Sequence, residues 1–84
     1  MKLVFAEEAW EDYLYWQQQD KRMVERINKL IREIQREPFA GIGKPEPLKH
    51  ALSGYWSRRI TDEHRIVYRV EDAALLIAQL RFHY

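Results

Sequence analysis

With 84 residues, the chain has room for one domain, 1–84, and not for two. It has no cysteine, which excludes disulfide staples and thiolate metal sites, and a net charge of +1 from 14 Lys and Arg against 13 Asp and Glu, too balanced by itself to indicate a nucleic-acid partner. No run approaches the roughly 18 apolar residues of a membrane span, and Met1–Ala6 meets Glu7 and Glu8 too early for a signal peptide, so a soluble cytoplasmic protein is expected.

Lys2–Ala6 reads as a first strand, with Leu3, Val4 and Phe5 as a β-favouring run. Glu7–Gln19 reads as a helix: Trp10, Tyr13 and Leu14 fall at helical spacing, and acidic residues crowd the first turn, where the helix dipole favours them. Asp20 is the expected N-cap of a second helix reaching Arg36. There Met23, Val24, Ile27, Leu30, Ile31 and Ile34 make one apolar stripe opposite a charged face. Glu37-Pro38 ends it, because proline disfavours the α conformation in the residue before it. Residues 37–47 hold two glycines and three prolines and are predicted to be a loop of defined path. After a Ser53-Gly54 turn, Tyr55–Thr61, His64–Val70 and Ala74–Tyr84 read as consecutive strands joined tightly enough to be antiparallel. One strand, two helices and then several strands predict an α+β domain, an antiparallel sheet packed against two N-terminal helices.

The charge is uneven. Residues 43–84 carry seven basic and five acidic side chains, and most of the basic ones are Arg, the residue suited to holding phosphate bidentately. Of Arg58, Arg59, Arg65, Arg69 and Arg81, at least two are expected on an ordinary solvated face. Alternation along His64–Val70 puts Arg65, Val67 and Arg69 on one face and Ile66, Tyr68 and Val70 on the other, so Arg65 is expected on the face away from the helices. In the last strand Arg81 and His83 share a face unless the terminus bends, and pairing would bring Arg65 near His83. Glu46 sits between Pro45 and Pro47, which restrict its backbone. A carboxylate, a histidine of near-neutral pKa and several cations are what RNA cleavage without a metal needs. Each also has a plainer reading: Glu46 as a solvated loop carboxylate, His83 and Tyr84 as a chain end packed on the sheet. His50 and His64 are expected to be structural or surface residues, and the three histidines lack a compact ligand spacing for zinc.

Several segments narrow the choice. Met1–Val4, Asp12–Trp16, Lys44-Pro45-Glu46-Pro47-Leu48-Lys49-His50, Leu52–Ile60, His64–Tyr68 and the ending Arg81-Phe82-His83-Tyr84 resemble the YoeB toxins of the RelE/ParE superfamily over essentially the whole chain. The resemblance implies a RelE-like, microbial-RNase-like fold and a type II toxin that enters the ribosomal A site and cuts messenger RNA without metal or cofactor. Carried over by position, it implies Glu46 as general base on the 2′-hydroxyl and His83 as general acid for the leaving oxygen. It assigns Arg65 to the transition-state phosphate, Lys49 and Arg59 to RNA binding beside it, and Tyr84 to nucleotide positioning. It implies a cognate YefM-like antitoxin, the 70S ribosome with its messenger, and a second copy of the chain as partners. The alternative is a toxin that cleaves nothing and binds the ribosome or, as ParE-type proteins do, DNA gyrase.

Overall fold

The computed structural model describes residues 1–82; His83 and Tyr84 lie outside the described residues. β1 (Lys2–Phe5) leads into α1 (Glu7–Gln19) and α2 (Lys21–Arg36). β2 (Glu46–Pro47), a 3-10 turn at His50–Leu52, β3 (Trp56–Arg59), β4 (Arg65–Glu71) and β5 (Ala74–Gln79) follow. The five strands form one sheet in the order β1-β5-β4-β3-β2. The β2–β3, β3–β4 and β4–β5 pairs are antiparallel, whereas β1 lies parallel to β5. No hairpin can join a parallel pair; the rest of the domain is the connection. No helix among the described residues is long and apolar enough to cross a membrane.

The helix boundaries match the sequence reading, because their signals are local. Asp20 caps α2 by accepting from the Arg22 backbone N–H at 3.0 Å, and Glu37 closes it with an N–H to the Glu33 carbonyl at 2.8 Å. The α2 stripe then enters the core: Ile27, Leu30 and Ile34 are fully buried against Tyr68, Leu75 and Ile77 of the sheet. Each such side chain contributes about 1.5–3 kcal/mol by leaving water.

The α+β fold is as expected, but the sheet is mixed and not wholly antiparallel, because β1 returns beside β5 in parallel, and two further strands differ from expectation. A two-residue strand, β2, forms inside the predicted loop; Pro47 is tolerated because β2 is an edge strand. β5 stops at Gln79 rather than running to the end of the chain. Its register with β4 slips, since Tyr68 faces Ile77 while Val67 faces Gln79. The extra residue, Ala78, is a bulge, and beyond it Leu80 still reaches the core.

The loop before β2 is pinned from inside. Arg58 is 0% exposed, on the helix-covered face of β3. Its guanidinium donates to the carbonyls of Ile42 (3.1 Å), Glu37 (2.5 Å) and Ala40 (2.9 Å), and to the Tyr68 hydroxyl (3.2 Å). The Tyr68 hydroxyl in turn donates to the Pro38 carbonyl at 2.6 Å, and burial pushes its phenol above the ordinary range despite the neighbouring Arg58. At Gly43, φ is +80° and an added Cβ would stand 3.1 Å from the Arg59 carbonyl oxygen. Gly43→Ala therefore combines left-handed strain with a tight backbone contact and should cost about 1–3 kcal/mol. Thermal melting checks this; an unchanged midpoint would mean that the loop is not so constrained.

Candidate active site

Backbone pairing assembles a row of residues on the sheet face away from the helices. Glu46 faces Ser57, Ser57 faces Val67, and Val67 faces Gln79, so four strands each contribute one position. One step along, Arg59 faces Arg65. Neighbouring strands lie about 5 Å apart, which places Glu46 two strands from Arg65. Glu46 and Lys49 line one shallow depression of about 380 Å³ with Pro47, Leu48, His50 and Leu52. Sheet and loop thus bring Glu46, Lys49, Arg59 and Arg65 to one side of the molecule.

Arg65 is less open than alternation suggested, at 9% exposure. Its Nη1 donates to the carbonyls of Thr61 (2.7 Å), Asp62 (2.9 Å) and His64 (3.2 Å), tying down the β3–β4 turn. The turn needs these donors because it curls three carbonyls inward. Among the described residues Nε and Nη2 make no hydrogen bond, which leaves one edge of the guanidinium for an anion. Arg59 and Arg65 are like charges directly opposite each other, an unfavourable cross-strand pair. Neither forms a salt bridge among the described residues, so an anion bound between them would relieve the repulsion.

The segment after β5 reaches the same side. Leu80–Phe82 is not strand, yet its backbone groups are satisfied almost one by one. The Leu80 N–H donates to Asp12 Oδ2 (3.0 Å), and Trp16 Nε1 donates to the Leu80 carbonyl (2.9 Å). Gln79 Nε2 donates to the Arg81 carbonyl (2.9 Å). The Phe82 N–H donates to His64 Nδ1 (2.8 Å), and its carbonyl accepts from the Arg65 backbone N–H (3.1 Å). The Arg81 guanidinium lies over the Tyr15 ring at 3.6 Å and beside the Phe82 ring at 4.5 Å. The chain thus bends after Gln79 where a continuous strand was expected, and the bend delivers Phe82 to the backbone of Arg65. His83 and Tyr84, expected to complete the site, lie outside the described residues.

Four further residues belong to this framework. Asp12, Trp16 and His64 hold the C-terminal segment, and Arg58 holds the loop that carries Glu46. Arg58 had a signal in the sequence, since Trp56, Arg58 and Ile60 alternate as core positions. Asp12 and Trp16 had none, because their partners are about 65 residues away along the chain, as the 68- and 64-residue separations record.

The Asp12 carboxyl is raised above its ordinary value, first by burial and then by Glu8, against the Leu80 N–H, Arg81 and His64, which lower it. The folded chain therefore binds this proton more tightly than the unfolded one, and Asp12's contribution to stability falls as pH rises from about 3.8 through the folded-state pKa. Asp12→Asn keeps an oxygen for Leu80 and removes the titration. The variant should gain stability relative to wild type between pH 3.5 and pH 7; parallel melting curves against pH would contradict it.

A family model described as the YoeB-like toxin of bacterial type II toxin–antitoxin systems matches residues 5–84. The chain belongs to the YoeB family. The YoeB toxin of Escherichia coli K12 is 66% identical over 84 residues, all of both chains. A YoeB/ParE toxin structure from Agrobacterium tumefaciens superposes with a TM-score of 0.98 at 60% identity, covering 100% of each chain. The Staphylococcus aureus YoeB, solved in a heterotetrameric complex with YefM, superposes at 0.92 with 50% identity, covering 100% of this chain and 98% of that one. A YoeB dimer from S. aureus superposes with a TM-score of 0.93 at 50% identity, covering 100% of this chain and 98% of that one. The RelE-like fold implied by the resemblance is therefore the fold of the chain, and YoeB-family membership makes it a type II toxin.

Proposed function

We propose that this toxin is a ribosome-dependent endoribonuclease that cuts messenger RNA in the ribosomal A site by general acid–base catalysis without a metal. The observation that carries the reading is the like-charged Arg59–Arg65 pair on the same sheet face as Glu46, in a chain of the YoeB family. A scissile phosphate is the anion such a pair accommodates.

In the reaction, Glu46 takes the proton of the 2′-hydroxyl, and O2′ attacks the adjacent phosphorus. Negative charge grows on the non-bridging oxygens, which Arg65 stabilises, with Arg59 and Lys49 assisting. The P–O5′ bond breaks, and His83 gives its proton to O5′. The products are a 2′,3′-cyclic phosphate and a 5′-hydroxyl. Tyr84 positions the nucleotide, by stacking or by a hydrogen bond to phosphate. Each proton transfer contributes roughly 10²- to 10⁴-fold.

A YefM-like antitoxin is the proposed neutralising partner, and a homodimer the proposed free form, as in the S. aureus relatives. Ribosomal RNA and messenger are the proposed polyanionic partners of the basic face. The test adds purified protein to translating ribosomes and maps messenger ends by primer extension. A cut inside the A-site codon is expected. Arrested translation with an intact messenger would replace this reading with a toxin that blocks sterically.

A further inference from the structure

The C-terminal segment arrives at the site in a conformation that its own residues do not favour. Phe82 has φ +64°, a left-handed geometry that bulky L residues rarely adopt. Phe82 is 53% exposed, so burial does not hold it there. What holds it is hydrogen bonding of its peptide: His64 Nδ1 accepts the Phe82 N–H, and the Phe82 carbonyl accepts from the Arg65 N–H and, at 3.4 Å, from Gln79 Nε2.

His64 is itself fixed. Its side chain is 12% exposed, and its ring packs edge-on against buried Trp16 at 4.8 Å between centroids. Because Nδ1 accepts, the neutral ring carries its proton on Nε2. Nε2 stands 3.6 Å from Glu63 Oε1, beyond a direct hydrogen bond. The feature of His64 that matters is therefore an acceptor at one ring position, aimed at one peptide.

We propose that His64 is a positioning residue for messenger cleavage: by holding the Phe82 peptide in its left-handed turn, it sets the path on which the chain enters His83. This rests on the assignment of His83 as general acid. A displacement of about 1 Å at a reacting group can cost on the order of 10²-fold in rate, so an anchor on the peptide that precedes His83 has leverage on the chemistry.

Asparagine and glutamine separate the acceptor from the ring. In His64→Asn the side-chain oxygen can occupy the place of Nδ1, whereas in His64→Gln the amide occupies the place of Nε2. Single-turnover cleavage on programmed ribosomes should fall about 10-fold or more for His64→Gln, with the ribosome concentration at half-maximal rate unchanged within about twofold. His64→Asn should stay within about fivefold of wild type. The Phe82 amide should remain protected from hydrogen exchange in wild type and His64→Asn, and lose protection in His64→Gln.

Equal defects in both variants, with circular dichroism showing both folded, would overturn the proposal and leave His64 as a packing residue. So would wild-type cleavage by His64→Gln while His83→Ala is inactive; that result would spare the nuclease reading. Wild-type protein that cuts no messenger would overturn both.

Discussion

Replacing Glu46 by alanine is expected to slow messenger cleavage at least about 10²-fold, a loss of about 2.7 kcal/mol of transition-state stabilisation. The 2′-hydroxyl is a poor nucleophile until its proton has somewhere to go, and Glu46 is a carboxylate on the face that holds Arg59 and Arg65, whereas Glu71 on that face is paired with Arg69. The fold should tolerate the change: Glu46 is exposed, and β2 pairs with β3 through its backbone. Glu46→Gln should be as slow as Glu46→Ala, because it keeps shape and loses the base. His83→Ala is expected to lose at least about 10²-fold by removing the acid. The measurement is primer extension on ribosomes stalled at a defined codon, with melting curves to confirm that each variant is folded. Wild-type rates in either variant would remove that residue from the mechanism, whatever the fate of the other.

The largest effect on stability is expected at Arg58. Methionine approximates its length and removes its donors. The carbonyls of Glu37, Ala40 and Ile42 would then remain in the interior without the guanidinium they now share. Replacing a buried charge by an apolar residue can be neutral when its partners are replaced as well; here the partners are backbone and cannot be. Arg58→Met should therefore cost about 3 kcal/mol or more, which lowers the melting midpoint of a domain this small by on the order of 10–20 °C. Arg58→Lys should recover little, because an ammonium cannot reproduce the planar fork. Loop 37–47 carries Glu46, so the fraction that stays folded should also cut more slowly. A midpoint within about 3 °C of wild type would show that water or a rearranged loop replaces these bonds.

Both predictions depend on a residue that the chain's local patterns describe unequally. Glu46 was visible as a carboxylate between two prolines, and its segment carried the most specific part of the YoeB resemblance. Arg58 was grouped with four other arginines as a surface feature, although its position between Trp56 and Ile60 marks a core face. Composition outweighed alternation there, because a buried arginine is rare unless its donors are filled. The carbonyls that fill them come from a loop whose course no periodicity reports.

The elements whose causes are local follow from the order of residues alone. Asp20 starts α2, Glu37-Pro38 ends it, and the stripe from Met23 to Ile34 selects the face that meets the sheet. Residue order also determined the side on which Arg65 stands, since alternation along β4 follows from the pleat. The folded arrangement was needed to see that β1 joins β5 in parallel, that Ala78 bulges, and that the chain leaves β5 at Gln79. It alone decided that Arg65 ties down a turn while facing the site, and that Asp12, Trp16 and His64 receive the segment leading to the terminus. The β1–β5 pairing and the contacts of Asp12, Trp16 and His64 satisfy backbone polar groups with partners distant in sequence, which meet only once the helices have closed over the sheet. Arg65 instead fills carbonyls one to four residues away, which reach its guanidinium only because the β3–β4 turn curls back on it.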